Sequence, residues 1–194
     1  DSSLIYMVDQ LIQKSGSALS GYYLSKPEAV EAVYQKTLGA GKKPFVFGVS
    51  YALLDLAEAG IELPEAHILE TGGMKGRRQE LSKVALHQIL QAGFGVPQIL
   101  SEYGMTELLS QAYCLQAQTF ACPPWMQIRI RDAYDPFQEV PFGQKGGLNV
   151  IDLANQNSCA FIQTDDLGRL TPQGFFLEGR LEASDIRGCN QLVD

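Results

Sequence analysis

The chain has 194 residues, 45% of them hydrophobic, and a formal net charge of −7, which suits one large domain or two small ones around a sizeable core. The acidic balance argues against a nucleic-acid or anionic-membrane partner, either of which would favour a basic face. Apolar stretches stay far short of the roughly 20 residues that cross a bilayer, and no basic, apolar leader opens the chain, so secretion is not expected.

In chain order, Ser2 or Ser3 can cap a helix with Leu4, Ile5, Met7, Val8, Leu11 and Ile12 on its apolar side, ended by Gly16. Ser25 before Lys26-Pro27-Glu28 starts a second helix, which runs to Gly39-Ala40-Gly41. Pro44 to Val49 is a compact strand, and Ser50 caps a helix over Tyr51 to Ala59. His67 to Glu70 is the next strand, with Thr71-Gly72-Gly73 as its exit turn. A longer helix is predicted over Arg78 to Gln91, offering Leu81, Val84, Ala85 and Leu90 to the core. Val96 to Leu100 reads as a short buried strand ending in a turn. Strands separated by helices of this length imply a parallel sheet with helices packed on it, an α/β fold. After Pro123-Pro124 the pattern changes. Trp125 to Ile130 alternates, Gly146-Gly147 leads into Leu148 to Ile151, Cys159 to Ile162 follows a polar turn, and Phe175 to Glu178 follows Thr171-Pro172-Gln173-Gly174. Such spacing predicts a small antiparallel sheet or barrel over 123–194, with the boundary near residue 122. No internal repeat or low-complexity segment is evident.

Ser101-Glu102-Tyr103-Gly104-Met105-Thr106-Glu107 follows the last of the parallel strands. In open α/β sheets that end of a strand is where ligands bind. A ring, a glycine, a hydroxyl and a carboxylate together suit a nucleotide: a face for the base, a close backbone, a phosphate donor, an acceptor for Mg²⁺ or its water. The ordinary alternative is a Tyr-Gly turn before a helix start. Thr164-Asp165-Asp166-Leu167-Gly168-Arg169 reads as a β-turn, and Gly179-Arg180 as the exposed end of a strand. The four cysteines, Cys114, Cys122, Cys159 and Cys189, show no Cys-x-x-Cys spacing, and the two histidines stand at 67 and 87. That spacing disfavours zinc and leads us to expect reduced thiols in a cytoplasmic protein.

Taken together, Tyr-Gly-x-Thr-Glu, then Thr-x-Asp-x-Gly about sixty residues on, then Gly-Arg, resemble the adenylate-forming enzyme superfamily. Longer strings narrow this. Glu70 to Arg78, Ser101 to Gln111, and Ser184-Asp185-Ile186-Arg187-Gly188-Cys189-Asn190 are similar to the acyl-protein synthetase family, over about Ser3 to Val193. That family includes the long-chain-fatty-acid ligase of the bacterial bioluminescence fatty-acid reductase system.

The resemblance implies ATP-dependent, AMP-forming activation of a fatty acid as an acyl-adenylate, then transfer to a protein cysteine as a thioester. It implies that Tyr103 stacks on adenine, with Gly72 and Gly73 along the base edge and Gly104 beside them in the motif. It implies that Thr106 binds the α-phosphate, Glu107 holds Mg²⁺, Asp166 accepts from the ribose hydroxyls, and Arg180 reaches ribose or phosphate. Where the superfamily often has Thr-Gly-Asp this chain has Thr164-Asp165-Asp166. Asp166 is aligned because Leu167-Gly168-Arg169 follows in step, and Asp165 stays open. Cys189 is the candidate acyl acceptor, with Arg187 able to favour its thiolate; the alternative is a small apolar residue closing the last strand. The other three cysteines read as core residues. Lys75, Arg77 and Arg78 serve either an anion or a solvated helix start.

The superfamily's Ser/Thr/Gly-rich phosphate loop has no counterpart here, since Ser15-Gly16-Ser17 lacks the closing Thr-Thr-Gly. No lysine can be assigned to adenylation either. With Asp1 in place of an initiating methionine, we expect a C-terminal portion of a longer synthetase, binding ATP weakly by itself. Two other functions fit the same residues: an interaction module docking on an acyltransferase or reductase, and an acyl-CoA ligase.

Overall fold

Phe45-Val46-Phe47-Gly48-Val49 and His67-Ile68-Leu69-Glu70-Thr71 are short, mostly apolar runs with a helix between them, a pattern that folds as a parallel pair with a crossover. The computed structural model describes residues 3–23, 27–72, 81–116 and 119–181, and the chain divides into two compact units between Ile99 and Leu100. The first unit runs α1 (Ser3–Ser15), α2 (Pro27–Gly39), β1 (Phe45–Val49), α3 (Ser50–Glu58), β2 (His67–Thr71) and α4 (Lys83–Phe94). β1 and β2 pair in parallel, Phe45 beside His67 and Val49 beside Thr71. Leu53 and Leu54 of α3, Ile61, Leu63, Ile68 and the stripe Leu86, Leu90, Phe94 of α4 make its core. α1 forms as expected, but none of its residues is buried.

Two helices differ from the sequence reading. Ser50 is the first residue of α3 and its hydroxyl does not cap the helix. It turns to the buried Glu70, within hydrogen-bond reach of Oε2 at 3.0 Å, because a bond to a charged acceptor is stronger than a neutral cap. α4 begins later than Arg78: Leu81 and Ser82 are not helical, and the Ser82 hydroxyl accepts from the Ala85 amide at 3.2 Å as the N-cap. That start sets the phase. Leu86, Leu90 and Phe94, four apart, face inward, whereas Leu81 and Val84, expected in the core, are exposed. Gly95, at φ 70°, ends the helix.

The second unit is β3 (Leu100–Tyr103), β4 (Ala112–Gln116), β5 (Thr119–Ala121), β6 (Met126–Arg131), β7 (Gly146–Asp152), β8 (Phe161–Thr171) and β9 (Gly174–Arg180). They neighbour one another in the order β3-β4-β5-β9-β8-β7-β6, every pair antiparallel. β3 is therefore Leu100 to Tyr103, not residues 96–100: the polar Ser101 and Glu102 are buried strand residues. Antiparallel pairing begins here, ahead of Pro123, because Ala112–Ala121 forms two short strands that carry no clear alternation.

β6 follows its alternation, with Met126, Ile128 and Ile130 buried and Gln127 and Arg129 outward. Their partners in the core are Tyr103, Ala112, Phe120, Leu148, Val150 and Phe175. Of the cysteines, Cys114 is buried and Cys122 half-buried, its thiol pushed up to about 11 by burial. Cys159 is exposed, just ahead of β8, and is not a core residue.

Thr164 to Arg169, expected as a turn, lies inside the long strand β8. Its turn-forming residues are accommodated by register shifts at Leu167/Gly168 against β9 and at Gly147/Asn149 between β7 and β8. Gly168 is required there, since a Cβ would stand 2.2 Å from the Phe176 carbonyl oxygen. Gly168→Ala should therefore lose about 1–3 kcal/mol of stability through overpacking, read as a lower urea midpoint, with an unchanged midpoint counting against this packing.

Candidate nucleotide site

Three of the residues singled out in the sequence meet in the second unit, two at strand ends and one within a strand. Tyr103 closes β3, Asp166 lies in β8, and Arg180 ends β9 directly opposite Asp166. The Tyr103 hydroxyl donates to Asp166 Oδ2 at 2.8 Å, and Arg180 Nε lies 3.3 Å from Asp166 Oδ1. The Asp166 amide donates to Thr164 Oγ1 at 3.1 Å, and that hydroxyl donates to the Leu148 carbonyl at 3.0 Å. Asp166 is thus fixed from both sides. Asp165 is exposed, as alternation along a strand requires, so Asp166 is the acid that joins Tyr103 and Arg180.

Burial, and then the Asp166 charge, hold the Tyr103 phenol far above the usual tyrosine range. It therefore stays a hydrogen-bond donor at any working pH. Its ring is 6% exposed, edge-on to Phe175 at 5.3 Å and Phe120 at 6.1 Å between centroids. The expected stacking of adenine on Tyr103 needs an open ring face, which this packing does not leave. Arg180 is the reverse case, its side chain 73% exposed, so its pairing with Asp166 adds little stability and leaves the guanidinium free to turn to a ligand.

Beneath β8 lies Arg131, 3% exposed. It donates to the carbonyls of Leu148 (3.1 Å) and Thr164 (2.8 Å) and to Asn149 Oδ1 (3.2 Å). Burial lowers its pKa, with the Asp165 charge working the other way. A Cβ on Gly147 would stand 2.4 Å from the guanidinium, so Gly146-Gly147 is more than the entry to a strand: it makes room for this buried cation.

Thr106 and Glu107 sit in the exposed turn beyond Tyr103. Gly104, also exposed, is confined on one side, where a Cβ would lie 2.3 Å from Glu102 Oε1. This turn is fastened to the end of β7. The wholly buried Asp152 accepts from the amides of Leu109 (3.0 Å), Ser110 (2.9 Å) and Ala154 (3.1 Å) and from the Ser110 hydroxyl (2.7 Å). The Trp125 indole donates to Ser110 Oγ at 2.9 Å. Asn155 Nδ2 donates to the Glu107 carbonyl at 2.6 Å and to that of Cys159 at 2.9 Å. Asp152, Asn155 and Arg131 were not singled out in the sequence. Asp152 and Asn155 read as ordinary loop residues, and only the run Val150-Ile151 before them hinted at a buried position.

In the first unit Gly72 leaves β2 exposed, at φ 69°, a conformation that suits glycine. The exit is braced by the fully buried Glu70, which takes the Lys83 ammonium and stands 3.4 Å from His87 Nε2. Ser50 Oγ also lies 3.1 Å from the Gly72 carbonyl. Gly73, Cys189, Lys75, Arg77 and Arg78 lie outside the described residues. Among the described residues no three His, Cys, Asp or Glu side chains gather as a metal cluster, and no helix is long and apolar enough to cross a membrane.

Comparison with known proteins places the fold. Solved structures similar to this chain include ATP-bound MatB from Rhodopseudomonas palustris, with 16% identity, a TM-score of 0.56, and 80% of this chain covered against 33% of that one. The luciferase-like enzyme of the nonluminescent mealworm Zophobas morio gives 18% identity and a TM-score of 0.53, covering 81% and 41%. A benzoate CoA ligase from Burkholderia xenovorans gives 19% and 0.50, covering 84% and 35%. The chain has the fold of the adenylate-forming, acyl-CoA-synthetase-like enzymes. It spans about a third of the length of MatB. No protein-family profile matches the chain, and no curated protein matches its sequence.

Burial pushes the Asp152 carboxyl up, but hydrogen bonds from the Ser110 hydroxyl and from three amides outweigh it, so its pKa lies below the ordinary carboxylate range. A group whose folded pKa is depressed stabilises the fold above its unfolded pKa, about 3.9, and loses that contribution as pH falls through the folded value. Asp152→Asn should cost roughly 1.5–3 kcal/mol at pH 7. In urea titrations the gap to the wild type should narrow below about pH 4; a gap independent of pH would refute the charge-based account.

Proposed function

We propose that the chain is part of an AMP-forming ligase that activates a fatty acid with ATP and passes the acyl group to a protein cysteine. The observation that supports it most is the meeting of Tyr103 and Arg180, each ending a strand, on the carboxylate of Asp166, within a chain of adenylate-forming fold. An ionised carboxylate has about four lone-pair sites, so Asp166 can accept both ribose hydroxyls while keeping its bond from Tyr103. Tyr103 then acts as the residue that holds Asp166. Arg180 turns to ribose or phosphate, where its planar fork suits two oxygens.

Thr106 donates to the α-phosphate. Glu107 is the side chain that would hold Mg²⁺, as a single exposed carboxylate beside substrate phosphates commonly does; the ion would offset phosphate charge. A fatty-acid carboxylate oxygen attacks the α-phosphorus, the bond to the β-phosphate oxygen breaks, and pyrophosphate leaves. The protein contributes alignment and charge balance rather than covalent chemistry. A thiolate then attacks the acyl carbonyl and expels AMP. Cys189 is the proposed thiol. ATP and Mg²⁺ are the proposed cofactors, and an acyltransferase or reductase is the proposed protein partner.

The full-length protein should exchange pyrophosphate into ATP on addition of a fatty acid, and failure with every carboxylic acid offered would end this reading. Tyr103→Phe keeps the ring and removes the hydroxyl, so it should raise the KM for ATP roughly three- to tenfold, the loss of one hydrogen bond. An unchanged KM would mean that the Tyr103 hydroxyl does not support ribose binding through Asp166. Hydroxylamine should release label from the acylated protein but not from Cys189→Ser. Transfer unaffected by that substitution favours an external thiol, a reading also encouraged by the likeness to a benzoate CoA ligase.

A further inference from the structure

The turn that carries Thr106 and Glu107 is anchored by side chains from elsewhere. Three of the four hydrogen bonds to Asp152 come from Leu109 and Ser110, two and three residues after Glu107. Asn155, 4% exposed, holds the Glu107 carbonyl itself. Asp152 is completely buried, and burying a carboxylate is costly unless donors surround it. An apolar residue at the end of β7 would serve the fold alone without that cost. What the acid supplies is a fixed path for the backbone at residues 107–110, with Ser110 further pinned by Trp125. We infer that Asp152 and Asn155 are positioning residues, which lock the turn after β3 so that Thr106 and Glu107 project at one geometry towards the triphosphate.

This rests on the adenylation reading of Thr106 and Glu107. Neither Asp152 nor Asn155 touches substrate. They act through the backbone, where a shift of about 1 Å in a reacting group can cost on the order of a hundredfold in rate. Their effect therefore falls on turnover rather than on ATP affinity, to which the Asp166 contacts contribute independently.

The test uses the full-length protein with Asp152→Asn and Asn155→Ala. Each should lower the maximal pyrophosphate-exchange rate roughly tenfold or more, while the KM for ATP moves less than about threefold. In Asn155→Ala, hydrogen exchange at the Leu109 and Ser110 amides should quicken about tenfold with Leu148 and Val150 in β7 unchanged, and in Asp152→Asn, whose global stability falls, the Leu109 and Ser110 amides should quicken more than those of β7. Unchanged exchange rates in both variants overturn the proposal, as does loosening of β7 to the same degree, which would mean general destabilisation. If Asp152→Asn does not fold, Asn155→Ala decides alone, because it leaves the carboxylate in place. A wild-type protein that exchanges no pyrophosphate removes the adenylation reading and this inference together. Wild-type activity with insensitive variants removes only this inference.

Discussion

A carboxylate withdrawn from water needs donors around it, and this constraint shapes three stretches of the described chain. Asp152 gathers the Leu109, Ser110 and Ala154 amides and one hydroxyl. Glu70 gathers Ser50 and Lys83 at the exit of β2. Asp166 takes Tyr103 and Arg180. In each case the acid lies beside a segment of irregular backbone and determines where that segment goes. The apolar core of each unit provides most of its stability. The acids provide direction, and without their donors each would carry a desolvation cost that the fold could not easily absorb.

Much of the architecture is legible in the sequence because it follows simple periods. β1, β2 and the alternation in β6 need only local patterning, and glycine or proline marks the ends of α1, α2 and α4. The misread strands share one cause, polar residues at buried positions. Ser101, Glu102 and Thr164 look like turn residues, yet they lie in β3 and β8 because long-range partners satisfy them. The phase of α4 was missed because Leu81 and Val84 are apolar but exposed. Only the cap at Ser82 distinguishes the inward stripe from the outward one.

The site was legible to a different degree. Tyr103, Asp166 and Arg180 were found because their order along the chain resembles a known pattern, and their convergence depends on strand pairing that local sequence cannot give. The burial of Tyr103 could not be foreseen, since Phe120 and Phe175 reach it from β5 and β9. Asp152 and Asn155 stayed hidden for a related reason: an aspartate three residues before an asparagine is common in surface turns. Sequence identities of 16–19% with similar structures establish the fold alone.

Cys159 has a practical bearing on how such chemistry would be detected. Cys159 is exposed, whereas Cys114 is buried and burial pushes the Cys122 thiol up to about 11. Activated acyl groups react with whichever accessible nucleophile they meet, so an adventitious adduct on this surface thiol would mimic the enzymatic one in any bulk labelling measurement. Peptide mapping, or a Cys159→Ser background, would keep a side reaction from passing as the biological acceptor.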